Sequence, residues 1–181
     1  MSKELKDFLK ETITVIIIAF ILAMILRNYV IEGREIPTGS MLPTVQLNDR
    51  IWVNRFIYRL QEPQRGDVVM FQPPASLNSA TPYLKRVVGL PGETVEMKNS
   101  KVYINGKALK EPYVAEPLDY EFGPVVVPAD SLLVLGDNRN NSYDSHEWNA
   151  WLTEDRLMGK AFAIYWPLDH FKLLPREVSF E

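Results

Sequence analysis

Cysteine is absent from the 181 residues, which excludes a disulfide framework, a thiol nucleophile and a thiolate-held metal. The compartment stays open, because a chain without Cys suits either redox environment. Histidine is nearly absent as well. Only His146 and His170 occur, so any chemistry has to run on Ser, Thr, Lys, Tyr or carboxylates. A basic excess is also missing: 20 Lys and Arg stand against 23 Asp and Glu, a net charge of −3. Nothing there offsets a phosphate backbone, and no nucleic-acid partner is expected. The sequence has no G-x-S-x-G elbow and no phosphate-binding G-x-x-x-x-G-K loop. His146-Glu147 opens like a zinc helix, but Ala150 stands where the second imidazole belongs. The polar run from Asp137 to Trp148 has the composition of a calcium loop, with Ser142 in place of the turn glycine and Trp148 in place of the bidentate acid. Neither a metal nor another cofactor is expected. At 46% apolar and 24% charged residues, the chain is nonetheless of ordinary globular composition, which excludes a disordered or fibrous protein.

From Thr12 to Leu26 runs a stretch of 15 uncharged, mostly apolar residues, short of the roughly 20 that cross a bilayer. Arg27 can snorkel and Tyr29 suits the interface, so Thr12 to Ile31 reaches the required length. The run is apolar all round, unlike a core helix, and nothing after it offers the small residues of a signal cleavage site. The expected organisation is therefore a short head (1–11), a transmembrane anchor (12–31) and a β-rich domain (32–181). Lys3, Lys6 and Lys10 against Arg27 and Arg34 favour an inner N-terminus by one residue. Glu4, Asp7 and Glu11 are unlike the acid-poor head of an organellar transit peptide, which leans toward a bacterial chain.

Beyond the anchor the pattern is one of strands and turns. Arg50–Asn54, Asp67–Phe71, Thr94–Lys98, Lys101–Ile104, Val125–Val127, Leu132–Leu135 and Ala161–Trp166 read as strands. Asn99-Ser100 and Asn105-Gly106 mark tight turns. Thirteen Pro and nine Gly punctuate these runs and leave little room for long helices. Only Thr153 to Met158 reads as a helical turn, capped by Thr153. Irregular structure is expected at Gln72–Pro82 and Glu111–Pro124, and residues 166–181 carry no clear signal.

Directly after the anchor stands Pro37-Thr38-Gly39-Ser40-Met41-Leu42-Pro43-Thr44. Two prolines fence a turn that is permissive at Gly39 and can present Ser40 outward. Most Thr-Gly-Ser triplets are simply turns. A Ser that cleaves acyl groups needs that exposure, together with a proton acceptor and donors for the oxyanion. His146 is one candidate acceptor, although its polar surroundings equally suit a surface position. A Lys can serve if burial lowers its pKa, since at about 10.4 it is neutral in roughly four molecules per thousand at pH 8. Tyr83-Leu84-Lys85-Arg86-Val87-Val88 sets two cations in an apolar strand on opposite faces, and the pattern leaves open which of them is buried.

Four blocks then carry a family resemblance: Gly39–Thr44, Arg65–Phe71, Lys85–Glu93 and Gly136–Ser145. In this order, behind one anchor, the chain resembles the type I signal peptidases, membrane-bound Ser-Lys endopeptidases. The resemblance implies Ser40 as nucleophile and Lys85 as general base. Thr38, with the Ser40 N–H, would line the oxyanion hole; Ser142 would orient the lysine amine and Asp144 would support that block. Ile36 and Leu84 would line pockets that read Ala-x-Ala before the scissile bond. It further implies a β-barrel-like fold of coiled antiparallel sheets, secretory preproteins as substrates, and a catalytic domain on the outer face of a bacterial plasma membrane, or a thylakoid membrane. The family usually continues Asp-Ser-Arg where this chain has Asp144-Ser145-His146. A guanidinium is always charged and an imidazole is not, so an ion pair with Asp144 is expected to be weaker or pH-dependent. A self-cleaving repressor-type Ser-Lys protease would need a DNA-binding head, which residues 1–31 do not offer. A membrane-tethered β-domain that only binds a partner is the reading left if Ser40 and Lys85 are merely structural.

Overall fold

The computed structural model describes residues 2–25, 30–174 and 176–181. One long helix, α1 (Lys3–Ile25), precedes a body of strands. In chain order these are β1 (Ile31–Glu35), β2 (Arg50–Asn54), β3 (Val68–Phe71), β4 (Tyr83–Gly89), β5 (Thr94–Lys98), β6 (Lys101–Ile104), β7 (Lys107–Lys110), β8 (Phe122–Val126), β9 (Ser131–Leu135), β10 (Leu152–Thr153), β11 (Leu157–Trp166), β12 (Lys172–Leu173) and β13 (Ser179–Phe180).

The larger sheet runs β1-β2-β11-β3-β4-β9-β10, with β12 added on β11, and the smaller runs β13-β7-β6-β5-β8. Every pairing is antiparallel. Register shifts within β11 and β4 bend and coil the larger sheet, as an extra residue in one strand must. The fold is mainly β, with curled sheets; the expected barrel is only partial, because the large sheet stays open between β1 and β10.

Alternation explains how the sheets share one interior. In β3, Val68 and Met70 join one apolar cluster with Ile51, Val53 and Leu84, while Val69 and Phe71 join another with Val87, Val134 and Trp148. Successive side chains of a strand point to opposite faces, so a strand buried on both reads as a continuous apolar run. In β9, Leu132 and Val134 face the second cluster, and Leu133 and Leu135 face a third with Val95, Met97 and Ile104 of the small sheet. β4 and β9 thus stand between layers, where a polar side chain finds no water.

Several expectations are corrected. The span Thr12 to Ile31 is not recovered: among the described residues no helix is long and apolar enough to cross a membrane. Helix α1 starts at Lys3 and absorbs the charged head, and Ile31 opens β1 opposite Asn54. Leu26, which ends the uncharged run, and Arg27, Asn28 and Tyr29, which lengthened the expected span, lie outside the described residues. The helical turn at Thr153 shrinks to one 3-10 turn, Glu154–Arg156, with no side-chain cap from Thr153. Leu157 and Met158 belong to β11 instead, Leu157 pairing with Phe71. The strand expected at Val125–Val127 sits earlier, at Phe122–Val126, and the unplaced C-terminal stretch supplies β12 and β13.

Candidate active site

The first half of the site is the turn after β1. Leu42 N–H donates to Gly39 O at 3.1 Å and Val45 N–H to Met41 O at 2.9 Å. Met41 and Val45 are buried beneath it, so the turn is pinned from below and Ser40 stays partly exposed. Gly39 does not draw on the left-handed freedom of a glycine, for it is not among the glycines of positive φ. What the position demands is space: a Cβ there would come within 3.1 Å of Leu42 Cδ1 and 3.3 Å of Leu47 Cδ1.

The second half is β4, and here the open question about its two cations has an answer: both are buried. Lys85 is 4% exposed and Arg86 1%, and their fates differ by face. Arg86 forms a bidentate pair with Asp137, Nε to Oδ1 at 2.8 Å and Nη2 to Oδ2 at 2.7 Å, donates to Gly66 O at 2.9 Å and lies 3.8 Å over the Tyr113 ring. Lys85 Nζ instead donates to the neutral hydroxyl of Ser142 at 2.9 Å. Burial without a directly bonded carboxylate disfavours the ammonium. It pushes the Lys85 pKa down to about 8, against a smaller upward pull from Asp144 and Asp137.

The third component is the loop after β9. Asp144 is fully buried; its Oδ2 accepts the Gly136 N–H at 2.8 Å and its Oδ1 meets His146 Nδ1 at 2.7 Å. The His146 ring stacks on Tyr120, centroids 4.1 Å apart. The contact expected of an arginine at this position is therefore made here by an imidazole. Asn138 ties the loop to the Ser40 turn, N–H to Ser40 O at 3.1 Å and Nδ2 to Gly39 O at 3.1 Å.

A cleft of about 330 Å³ collects Ile36, Thr38, Ser40, Leu84 and Lys85, with Tyr83 and Tyr143 also on its wall. Ser142 and Asp144 stand behind the wall and reach the cleft only through Lys85 and the loop. All seven residues singled out from the sequence are thus gathered at one place. A family model described as signal peptidase, peptidase S26, matches residues 9–166. The chain belongs to that family. By that membership it is a serine peptidase.

The chain is 47% identical over 166 residues to the probable signal peptidase I-2 of Synechocystis sp., covering 90% of this chain and 76% of that protein. It is 35% identical over 178 residues to signal peptidase I S of Bacillus subtilis, covering 92% and 94%. A solved signal peptidase I from Enterococcus faecalis is 32% identical, with a TM-score of 0.48, over 55% of this chain and 97% of that one.

Two contributors escaped sequence reasoning as site residues, Gly136 and Asn138, although both stand in the fourth block. A Cβ on Gly136 would overlap Ser142 Oγ and the Ser40 carbonyl oxygen, so the Ser40 turn and the hydroxyl partner of Lys85 meet only across a glycine. Gly136→Ala should separate them and reduce peptidase activity by about a hundredfold or more. Activity assays alongside circular dichroism check this; a folded, fully active variant would contradict it.

Proposed function

We propose that the chain removes N-terminal signal peptides from secreted preproteins, cutting after Ala-x-Ala, with Ser40 as nucleophile and Lys85 as general base. The observation that carries this reading is the buried amine of Lys85, with its pKa near 8, on the wall of the cleft that Ser40 shares. With that pKa about half the amine is neutral at pH 8. A neutral Nζ takes the proton from Ser40 Oγ as the oxygen attacks the scissile carbonyl. The Ser40 N–H and the Thr38 hydroxyl donate hydrogen bonds to the developing oxyanion. The ammonium so formed returns its proton to the leaving amine, and the neutral amine then activates water to release the acyl group from Ser40. Ser142 fixes the amine's direction, and Asp144 holds the loop that carries Ser142.

Ile36 and Leu84, 7% and 8% exposed, give the cleft an apolar wall suited to alanine side chains. For location, we place the catalytic domain at the outer face of a bacterial plasma or thylakoid membrane. α1 supports this reading: from Ile13 to Met24 it is uninterrupted by charge and its side chains are exposed all round, a surface suited to lipid.

The test is incubation of the detergent-solubilised chain and its Ser40→Ala variant with a preprotein, reading product termini by mass spectrometry. Cleavage confined to the bond after Ala-x-Ala, abolished in Ser40→Ala, is the expected result. Scattered cuts would indicate another peptidase specificity, and activity retained without the Ser40 hydroxyl would remove the dyad.

A further inference from the structure

Asp49 is a buried carboxylate, 1% exposed, that the dyad does not use. It sits at the neck of the segment carrying Ser40. Ile36 N–H donates to Asp49 O at 2.9 Å and Asn48 N–H to Ile36 O at 2.8 Å, so two backbone bonds close the segment into a loop. The Asp49 side chain closes the same neck from within, Oδ2 accepting the Gln46 N–H at 2.8 Å. Its other oxygen, Oδ1, faces His170 Nδ1 at 2.9 Å. A carboxylate only accepts, so Nδ1 carries the hydrogen.

His170 lies 121 residues further along the chain, at the end of the 3-10 turn Leu168–His170 between β11 and β12. Its N–H donates to Pro167 O at 3.0 Å, and β12 returns to pair with β11. The imidazole is therefore mounted on the β11–β12 side of the large sheet, and Asp49 closes the loop between β1 and β2. We propose that His170 is a positioning residue for Ser40: it holds Asp49, Asp49 holds the neck, and the neck sets where Ser40 and Ile36 stand in the cleft. This rests on the dyad reading above. Without the imidazole, Oδ1 is a buried carboxylate oxygen with no donor, a costly state relieved only by admitting water or opening the turn. Either loosens the neck.

The test compares His170→Ala and His170→Asn in the full chain, since an Asn amide can donate from close to where Nδ1 stands. Cleavage kinetics on a preprotein and hydrogen exchange at the Ile36, Gln46 and Asn48 amides are read with and without added imidazole. His170→Ala should lose about tenfold or more in kcat with KM changed by less than about twofold. Exchange should quicken at those three amides alone, imidazole should restore both, and His170→Asn should resemble the parent. Unchanged kcat and exchange, a loss that neither imidazole nor Asn restores, or faster exchange spread across both sheets would each overturn the proposal. Ser40→Ala run in parallel keeps the readings apart. Cleavage surviving in Ser40→Ala removes the dyad, while exchange at the neck still decides the brace.

Discussion

Lys85→Met should give a chain that no longer cleaves preprotein yet resists unfolding better than its parent below pH 8. On the proposed dyad, loss of cleavage follows because a thioether takes no proton from Ser40. Lys85→Arg should be equally inactive, since a guanidinium keeps its proton at any working pH. The stability effect follows from the same burial. The folded-state pKa of Lys85 is depressed from its ordinary 10.5 to about 8, with desolvation the main cause. Below pH 8 both folded and unfolded chains carry the ammonium, and the folded one bears the full desolvation cost. Between pH 8 and 10.5 the unfolded chain binds the extra proton, so stability rises with pH; above 10.5 neither does and the cost is gone. A drop of this size corresponds to about 3 kcal/mol. Methionine relieves that cost and fills the site, while forfeiting the bond to Ser142, worth about 1 kcal/mol. The variant should then be about 2 kcal/mol more stable at pH 6.5, with the advantage lost near pH 10.5. Urea unfolding at the two pH values measures this, and a variant less stable at pH 6.5 would sink the account. In the parent, kcat/KM should rise with pH along an acid limb centred near 8.

The strands that alternate were legible residue for residue: β2, β5 and β6 stand where the pattern put them. Asn99, Ser100, Asn105 and Gly106 all take positive φ, as the tight hairpins require. What was misread had local signals that longer-range pairing overrode. Thr153-Glu154-Asp155 looks like a capped helix start, but Leu157 finds a strand partner in Phe71. Ile31 completes an apolar run and yet pairs with Asn54. β12 and β13 are two residues each, too short for any period to register. At the site, Ser40 and Lys85 were visible through the four blocks, whereas no pattern shorter than the fold connects Asp49 to His170. That Lys85 and Arg86 are both buried, one against the Ser142 hydroxyl and the other against the Asp137 carboxylate, is likewise a matter of tertiary contact that the strand's apolar pattern does not carry.

Those partners yield the second large effect. Asp137→Asn keeps the shape of the pair with Arg86 but removes its negative charge, in a place where Arg86 and Asp137 are each 1% exposed. Breaking one side of a buried pair costs about 3–5 kcal/mol, because the remaining charge is desolvated without compensation. Loss of that order in denaturant unfolding is the expected result. The pair also stands beside Lys85, whose pKa the Asp137 charge pulls upward. Asp137→Asn removes the carboxylate that pulls the Lys85 pKa upward while the guanidinium keeps its charge, which disfavours a second cation and moves the acid limb of kcat/KM to lower pH. Arg86→Met leaves the carboxylate uncompensated, favours the ammonium and moves the limb to higher pH. Both variants are destabilised, so stability alone cannot produce shifts of opposite sign. Limbs that move the same way in both, or not at all, would mean that Lys85 does not sense this pair, and that its burial alone sets the amine's charge.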